Sequence, residues 1–160
     1  MVNVKSDIRI RDIRWKKDFE EVFDLDRMNS EFPKSRKHFK ELSAQQPSAL
    51  IRIAAEHCGS IISSLFCMVF KKNLRLLDVL VHRNFRRQGV GSMMLGELIE
   101  TIQEDGRFST VNTIRIFVRE KNLSGRLFLQ KHRFRGMGVA RRFYKDTGED
   151  AYRMEFSLKR

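Results

Sequence analysis

Two prolines and no Pro-, Gly- or Ser-rich stretch leave this 160-residue sequence without a linker, so it reads as one domain spanning 1–160. Cysteine is as scarce. Cys58 and Cys67 fall at an expected turn and inside an expected strand, which suits two free thiols and not a disulfide framework. No apolar run approaches the roughly 20 residues that cross a bilayer as a helix, and no membrane partner is expected. The opening residues, MVNVKSDIRIRD, lack the apolar core of a secretion signal, so the expected location is cytoplasmic. Repeats and low-complexity segments are missing too. What remains is 41% hydrophobic with 13 Phe, enough for one proper core.

Acidic residues are also few, 20 against 32 Lys and Arg, for a formal charge of +12. The surplus is uneven. Residues 1–42 carry 11 basic and 9 acidic side chains, whereas residues 43–145 carry 18 and 7. Part of that excess suits a polyanionic ligand; the rest suits an acidic or nucleic-acid-rich partner, such as a ribosome, or plain solubility charge.

The stretch Leu76–Ile102, LLDVLVHRNFRRQGVGSMMLGELIETI, holds the strongest signal. Leu76–Val81 reads as a buried strand. From Val90 on, Val90, Met94, Leu95, Leu98 and Ile102 form one helical stripe. Between them lies Arg86-Arg87-Gln88-Gly89-Val90-Gly91-Ser92. The first N–H groups of a helix lack internal partners and sit at the positive end of its dipole. Glycines there remove the Cβ atoms that would hold an anion off, so this turn is built for a phosphate or pyrophosphate. It fits neither G-x-x-x-x-G-K-[ST] nor G-x-G-x-x-G, which excludes the common nucleotide fingerprints.

The remaining elements follow from periodicity. Ile8–Arg11 alternates as a half-buried strand, and Phe19, Val22, Phe23 and Asp26–Met28 have helical spacing, with Glu20, Glu21 and Asp24 on the wet face. Ser35 is placed to cap a second helix reaching about Ala44. Leu50–Glu56 alternates, His57-Cys58-Gly59 turns, and Ser60–Phe70 is a long apolar strand; with the strand before the phosphate turn these predict an antiparallel meander. Asp105-Gly106 stops the central helix, Thr113–Val118 is a strand, and Asn122 caps a helix through Lys131. RGMGVARRFY follows Phe134, and Tyr152, Met154, Phe156 and Leu158 alternate as an amphipathic strand. The order β-α-α-β-β-β-α-β-α-β-β predicts an α/β fold, a mixed and mostly antiparallel sheet of about seven strands flanked by about four helices.

The turn also reads as [Q/R]-x-x-G-x-[G/A], with Arg86, Gly89 and Gly91 in the key places. This resembles the acetyl-CoA motif of the GNAT superfamily of N-acetyltransferases, whose element order the chain shares. The likeness extends along nearly the whole sequence. Val118-Arg119-Glu120-Lys121-Asn122 resembles the end of the family's fifth strand with its helix-opening Asn, and FLQKHRF matches L-Y-x-x-x-G-F. FYKDTGEDAYRM and VFDLDRMNSEFP are similar to segments of the ribosomal-protein alanine and protein N-terminal acetyltransferases.

The resemblance implies acetyl-CoA as cosubstrate, no metal, and direct transfer to a primary amine, expected to be a protein or peptide N-terminus. It places the backbone of Val79, Leu80 and Val81 against the pantetheine arm, Arg86, Arg87, Gln88, Gly89, Val90, Gly91 and Ser92 around the pyrophosphate, and the N–H near Leu80 as oxyanion donor. Asn122 would meet the arm or its surroundings. The family's basic Glu and acidic Tyr fall on Phe117 and Leu129, and its Gly-Phe glycine on Arg133. Protons would then move through Asp78, His82, Tyr144 or Tyr152, or through water, and Tyr144 is preferred because it matches a substrate-contact position. The alternative is an acetyl-CoA-binding sensor or interaction module with little turnover. A third is a nucleic-acid-associated protein using Lys131, Arg133, Arg135, Arg141, Arg142 and Lys145. Monomer and homodimer are both compatible with the sequence.

Overall fold

The structure is a computed structural model that describes residues 7–46, 48–70 and 72–158. Its elements run β1 (Ile8–Asp12), α1 (Trp15–Asn29), α2 (Arg36–Ser43), β2 (Leu50–His57), β3 (Ser60–Phe70), β4 (Asn73–Val81), α3 (Val90–Glu104), β5 (Thr113–Arg119), α4 (Leu123–Lys131), β6 (Arg135–Tyr144) and β7 (Glu149–Ser157). Short 3-10 turns at Arg83–Phe85 and Gly106–Phe108 precede and follow α3. The strands form the expected mixed, mostly antiparallel sheet of seven, and the structure gives their order as β1-β2-β3-β4-β5-β7-β6.

The described residues divide into two compact units, one holding residues up to Met68 with Asp78–Ser109, the other Val69–Leu77 with residues from Thr110 onward. In the first unit β1 and β2 pair antiparallel, as do β2 and β3. The β2–β3 hairpin turns on Cys58 (φ 50°) and Gly59 (φ 81°), the two positive φ values that a tight hairpin with right-handed strand twist requires. Cys58 is exposed and Cys67 buried, both as free thiols. Burial pushes the Cys67 thiol far up, so it is inert packing.

The expected alternation of β2 is absent. Leu50, Ile51, Ile53, Ala54 and Ala55 are all buried, which leaves neither face of the strand wet. The reason is coverage: Trp15 of α1 and Phe39 of α2 pack on Phe66, the cross-strand neighbour of Arg52, and α3 also packs on β2. The α3 stripe is as expected, with Val90, Met94, Leu95, Leu98 and Ile102 buried.

Two acids of α1 lie inside. Asp18, 3% exposed, accepts from the Arg14 N–H at 2.7 Å and from the Arg11 guanidinium at 2.6 Å. Burial works to raise its pKa, but the Arg11 and Arg14 hydrogen bonds outweigh that and hold it at about 2.

In the second unit β4 and β5 are parallel from Asn73↔Thr113 to Leu76↔Ile116, β5 and β7 antiparallel, and β7 and β6 antiparallel. Asn122 caps α4 by accepting from Gly125 N–H at 2.9 Å. The helix closes with Arg133 at φ 65°, its N–H donating to Gln130 O and that of Phe134 to Leu129 O, both at 3.0 Å. This is a Schellman closure with arginine where glycine is the favoured residue.

Two sequence expectations fail on this sheet. β4 is not uniformly buried: Leu74, Leu76 and Leu80 are, while Arg75, Leu77, Asp78, Val79 and Val81 keep partial exposure. β7 does not bury Tyr152, Met154, Phe156 and Leu158 as a set; its buried residues are Glu149, Ala151 and Met154. The pairing is irregular on one side only: β6 bulges against β7 at Gly136/Gly138 and at Ala140/Tyr144, whereas β7 runs in unbroken register with β5, and Ala151 and Met154, on opposite faces of β7, are both buried. Tyr152 instead lies under the Arg126 guanidinium, 4.2 Å from its ring centroid.

Candidate active site

The phosphate-type turn hangs on the end of β4, which is fixed first. Ser63 Oγ donates to Leu80 O at 2.7 Å, and His82 N–H to Ile62 O at 2.8 Å. The chain then makes the 3-10 turn at Arg83–Phe85. Asn29, at the end of α1, accepts from Arg83 N–H at 2.9 Å, and His82 Nδ1 accepts from Asn84 N–H at 3.2 Å. His82 is therefore a capping residue whose ring lies edge-on to Phe85.

Arg86 acts inward. Its Nε donates to Val81 O at 3.0 Å and its Nη2 to Asn29 O at 2.6 Å, so the guanidinium locks the turn to β4 and α1. Gln88 Nε2 closes the turn on Asn84 O at 2.8 Å. Arg87 (φ 63°) and Gly89 (φ 86°) take left-handed backbone, and Gly89 is the N-cap of α3. An L-residue pays for that conformation in Cβ contact, and glycine does not. Val90, 1% exposed, then anchors the helix start in the core.

Gly89 brings no side-chain cap to α3, and the first turn of the helix holds no acid. The helix dipole therefore meets solvent beside Arg87, with nothing of opposite charge in the turn. This fits the pyrophosphate of an acyl-CoA in chemistry and charge. Among the described residues no group of His, Cys, Asp and Glu side chains is placed to hold a metal ion.

Asp78, the acid on β4, is engaged. Lys34 Nζ bridges it to Asp26, which is 1% exposed, and the Lys34 backbone N–H also donates to Asp26 at 2.6 Å. Burial lowers the affinity of Lys34 for its proton, but the charges of Asp78 and Asp26 overcome this and hold it above the ordinary lysine value. Lys34 belongs to no motif, and only an acid buried in a helix hints at its partner. Asn29 was equally invisible in the sequence, because its role is to receive groups 54 and 57 residues away.

The second unit carries Phe117 and Leu129, where the resemblance in sequence puts the family's base and acid. Phe117 stacks on Phe143, 4.5 Å between centroids and 6° between planes, with the Arg75 guanidinium 4.9 Å from its ring. Leu129 is 3% exposed. Tyr144 Oη donates to Phe117 O at 3.0 Å, and the Arg119 guanidinium lies 3.9 Å from the Tyr144 ring centroid. Arg119 is held by Asp146 and Glu149 at 2.6 and 3.0 Å. Asn122 spends its side-chain oxygen on the α4 cap.

By sequence, no curated protein matches the chain significantly. Solved structures do match the fold. The ribosomal-protein-S18-alanine N-acetyltransferase of Escherichia coli superposes with a TM-score of 0.82 at 22% identity, over 96% of this chain and 95% of that one. Ard1 of Thermoplasma volcanium gives 0.82 at 21%, over 96% and 99%. Naa50 of Arabidopsis thaliana, in complex with the bisubstrate analogue CoA-Ac-MVNAL, gives 0.78 at 16%, over 94% and 99%. The sequence model of the acetyltransferase (GNAT) family matches residues 13–134, a span from the start of α1 through the phosphate turn to the closure of α4. With that match over three quarters of its length, the chain belongs to the GNAT acetyltransferase family.

Proposed function

We propose that the protein transfers an acetyl group from acetyl-CoA to a primary amine, that of a protein or peptide N-terminus. The observation that carries the reading is the start of α3 on a left-handed Gly89 with no acid in its first turn, and Arg86 spent on holding the turn in shape. Arg87, Gln88, Gly89, Val90, Gly91 and Ser92 surround the pyrophosphate, mainly through backbone N–H groups. Arg86 serves as a positioning residue. The backbone of Val79 and Val81 pairs with the pantetheine arm, and Asn122 bounds it.

Acetyl-CoA supplies an activated thioester. The amine loses a proton to water and its lone pair attacks the carbonyl carbon; a backbone N–H near Leu80 donates to the oxygen as charge develops there. The C–S bond then breaks and the sulfur leaves with a proton. Tyr144 is assigned the donor role, since Phe117 and Leu129 have nothing to titrate. The peptide preference is supported by the fold neighbours, among them one holding a CoA–peptide bisubstrate analogue.

One observation favours a second reading, an acetyl-CoA-binding module with little turnover: the Phe117–Phe143 stack is apolar surface where the resemblance in sequence puts the family's base. The test is incubation of the purified protein with radiolabelled acetyl-CoA and peptides bearing free or blocked α-amines. Acid-stable label on the free-amine peptides alone is expected. Cofactor retained without transfer establishes the binding module instead, and neither signal overturns the assignment of the turn.

A further inference from the structure

β5 divides its side chains cleanly. Ile114, Ile116 and Val118 are buried on one face, while Arg115, Phe117 and Arg119 keep partial exposure on the other. On that second face Phe143 stacks on Phe117 and meets the Tyr144 ring edge to face, 5.1 Å between centroids. Tyr144 is thereby fixed at three points. Phe143 packs on its ring edge-on, Phe117 O receives its hydroxyl at 3.0 Å, and the Arg119 guanidinium lies 3.9 Å from its ring centroid.

The guanidinium is itself fixed. Arg119 Nη1 donates to Thr147 Oγ1 at 2.9 Å and to Glu149 Oε2 at 3.0 Å, and Nη2 donates to Asp146 Oδ2 at 2.6 Å. All three acceptors lie on the turn that follows Tyr144, where Gly148 N–H also donates to Tyr144 O at 2.7 Å. Burial weakens the hold of Arg119 on its proton, but the hydrogen bonds to Asp146 and Glu149 outweigh it and keep the group above the ordinary arginine value. The cation therefore stays charged throughout the range in which a phenol titrates.

We propose that Arg119 is a positioning residue for Tyr144, holding its ring in place and strengthening its phenol as an acid; this rests on the reading of Tyr144 as the proton donor. An ordinary phenol titrates near about 10 and a thiol near about 8.5, so transfer from one to the other runs uphill. A cation on the ring face stabilises the phenolate left behind and narrows that gap. As the C–S bond breaks, the Tyr144 O–H gives up Phe117 O and its proton passes to the sulfur. A neutral thiol leaves, a phenolate remains beside Arg119, and water returns the proton. Within this unit Asp146 and Glu149 oppose the effect, while Lys145, Arg153 opposite Phe117, and Arg75, 5.8 Å from the Phe143 ring, act with it.

The sequence holds two tyrosines, so Tyr152→Phe leaves Tyr144 as the one phenol signal. In that background its Cζ resonance is followed by carbon NMR over about pH 8–12. Arg119→Gln is expected to make Tyr144 a weaker acid by about tenfold. Arg119→Lys keeps the charge without the planar fork and should fall between. Asp146→Asn removes an opposing charge from an exposed turn, which spares the fold, and should make Tyr144 a stronger acid by about twofold. A purely structural role for Arg119 would move the Gln and Asn variants in the same direction. In transfer to a peptide α-amine, Arg119→Gln should lower kcat by about threefold at unchanged acetyl-CoA affinity. The proposal is overturned if Arg119→Gln leaves the ionisation of Tyr144 where it was, or if Asp146→Asn makes Tyr144 the weaker acid. Full turnover in Tyr144→Phe sinks the donor reading instead, and the ionisation shifts still decide what Arg119 does to the phenol.

Discussion

Replacing Arg133 with glycine should make this protein more stable, although it deletes a charged side chain and adds a flexible residue. Arg133 sits at φ 65°, where it completes two 3.0 Å hydrogen bonds that close α4. An L-residue other than Gly, Asn or Asp loses about 1–2 kcal/mol in that conformation. Glycine removes the penalty but adds freedom to the unfolded chain, worth about 0.4–1 kcal/mol in the opposite sense. The Arg133 side chain is exposed and makes no ion pair among the described residues, so its loss costs little. The net gain is about 0.5–1 kcal/mol, or a rise of about 1–4 °C in Tm for a chain of this size. Arg133→Ala isolates the cause, because alanine keeps the Cβ and the strain and should bring no gain. Thermal and urea denaturation of the three proteins decide the matter. Alanine stabilising as much as glycine, or glycine lowering Tm, would refute the strain argument.

Three further outcomes are expected. Gly89→Val forces a β-branched residue to φ 86° and should weaken acetyl-CoA binding by tenfold or more by calorimetry, with far-UV dichroism unchanged. Tyr144→Phe should lower kcat by about 10²–10⁴ while leaving acetyl-CoA affinity intact, since only the proposed proton donor is lost; unchanged turnover would remove Tyr144 from the chemistry. Asp18→Asn should cost about 1–2 kcal/mol at pH 7. Its folded pKa of about 2 lies below the ordinary 3.8, so the stabilisation is complete above the higher value and is lost as pH falls through the lower one. The difference between Asp18→Asn and the parent should therefore close between about pH 4 and pH 2 in acid denaturation. A gap that stays constant over that window would mean that the Arg11 and Arg14 contacts carry no linkage.

The sequence by itself determined the elements, the turn and the family. The 3.6-residue stripe from Val90 to Ile102, the caps Ser35 and Asn122 and the hairpin at Cys58-Gly59 are local chemistry, and local chemistry is written in adjacent residues. Arg86, Gly89 and Gly91 at a strand-to-helix junction were legible for the same reason. Tertiary structure decided what each charge does. Periodicity showed β2 as half-wet, because a sequence does not reveal that both faces of a strand will be covered. Arg86, placed by its motif against the ligand, turns back to Val81 and Asn29, and Asp78 is taken by Lys34 across 44 residues. Asp18 and Asp26 are buried with Arg11 and Lys34 as partners while Lys16, Lys17 and Lys40 stay in water, a division that no count along the first 42 residues reveals. Charge counts add along the chain, but an electrostatic field depends on which charges the fold removes from solvent.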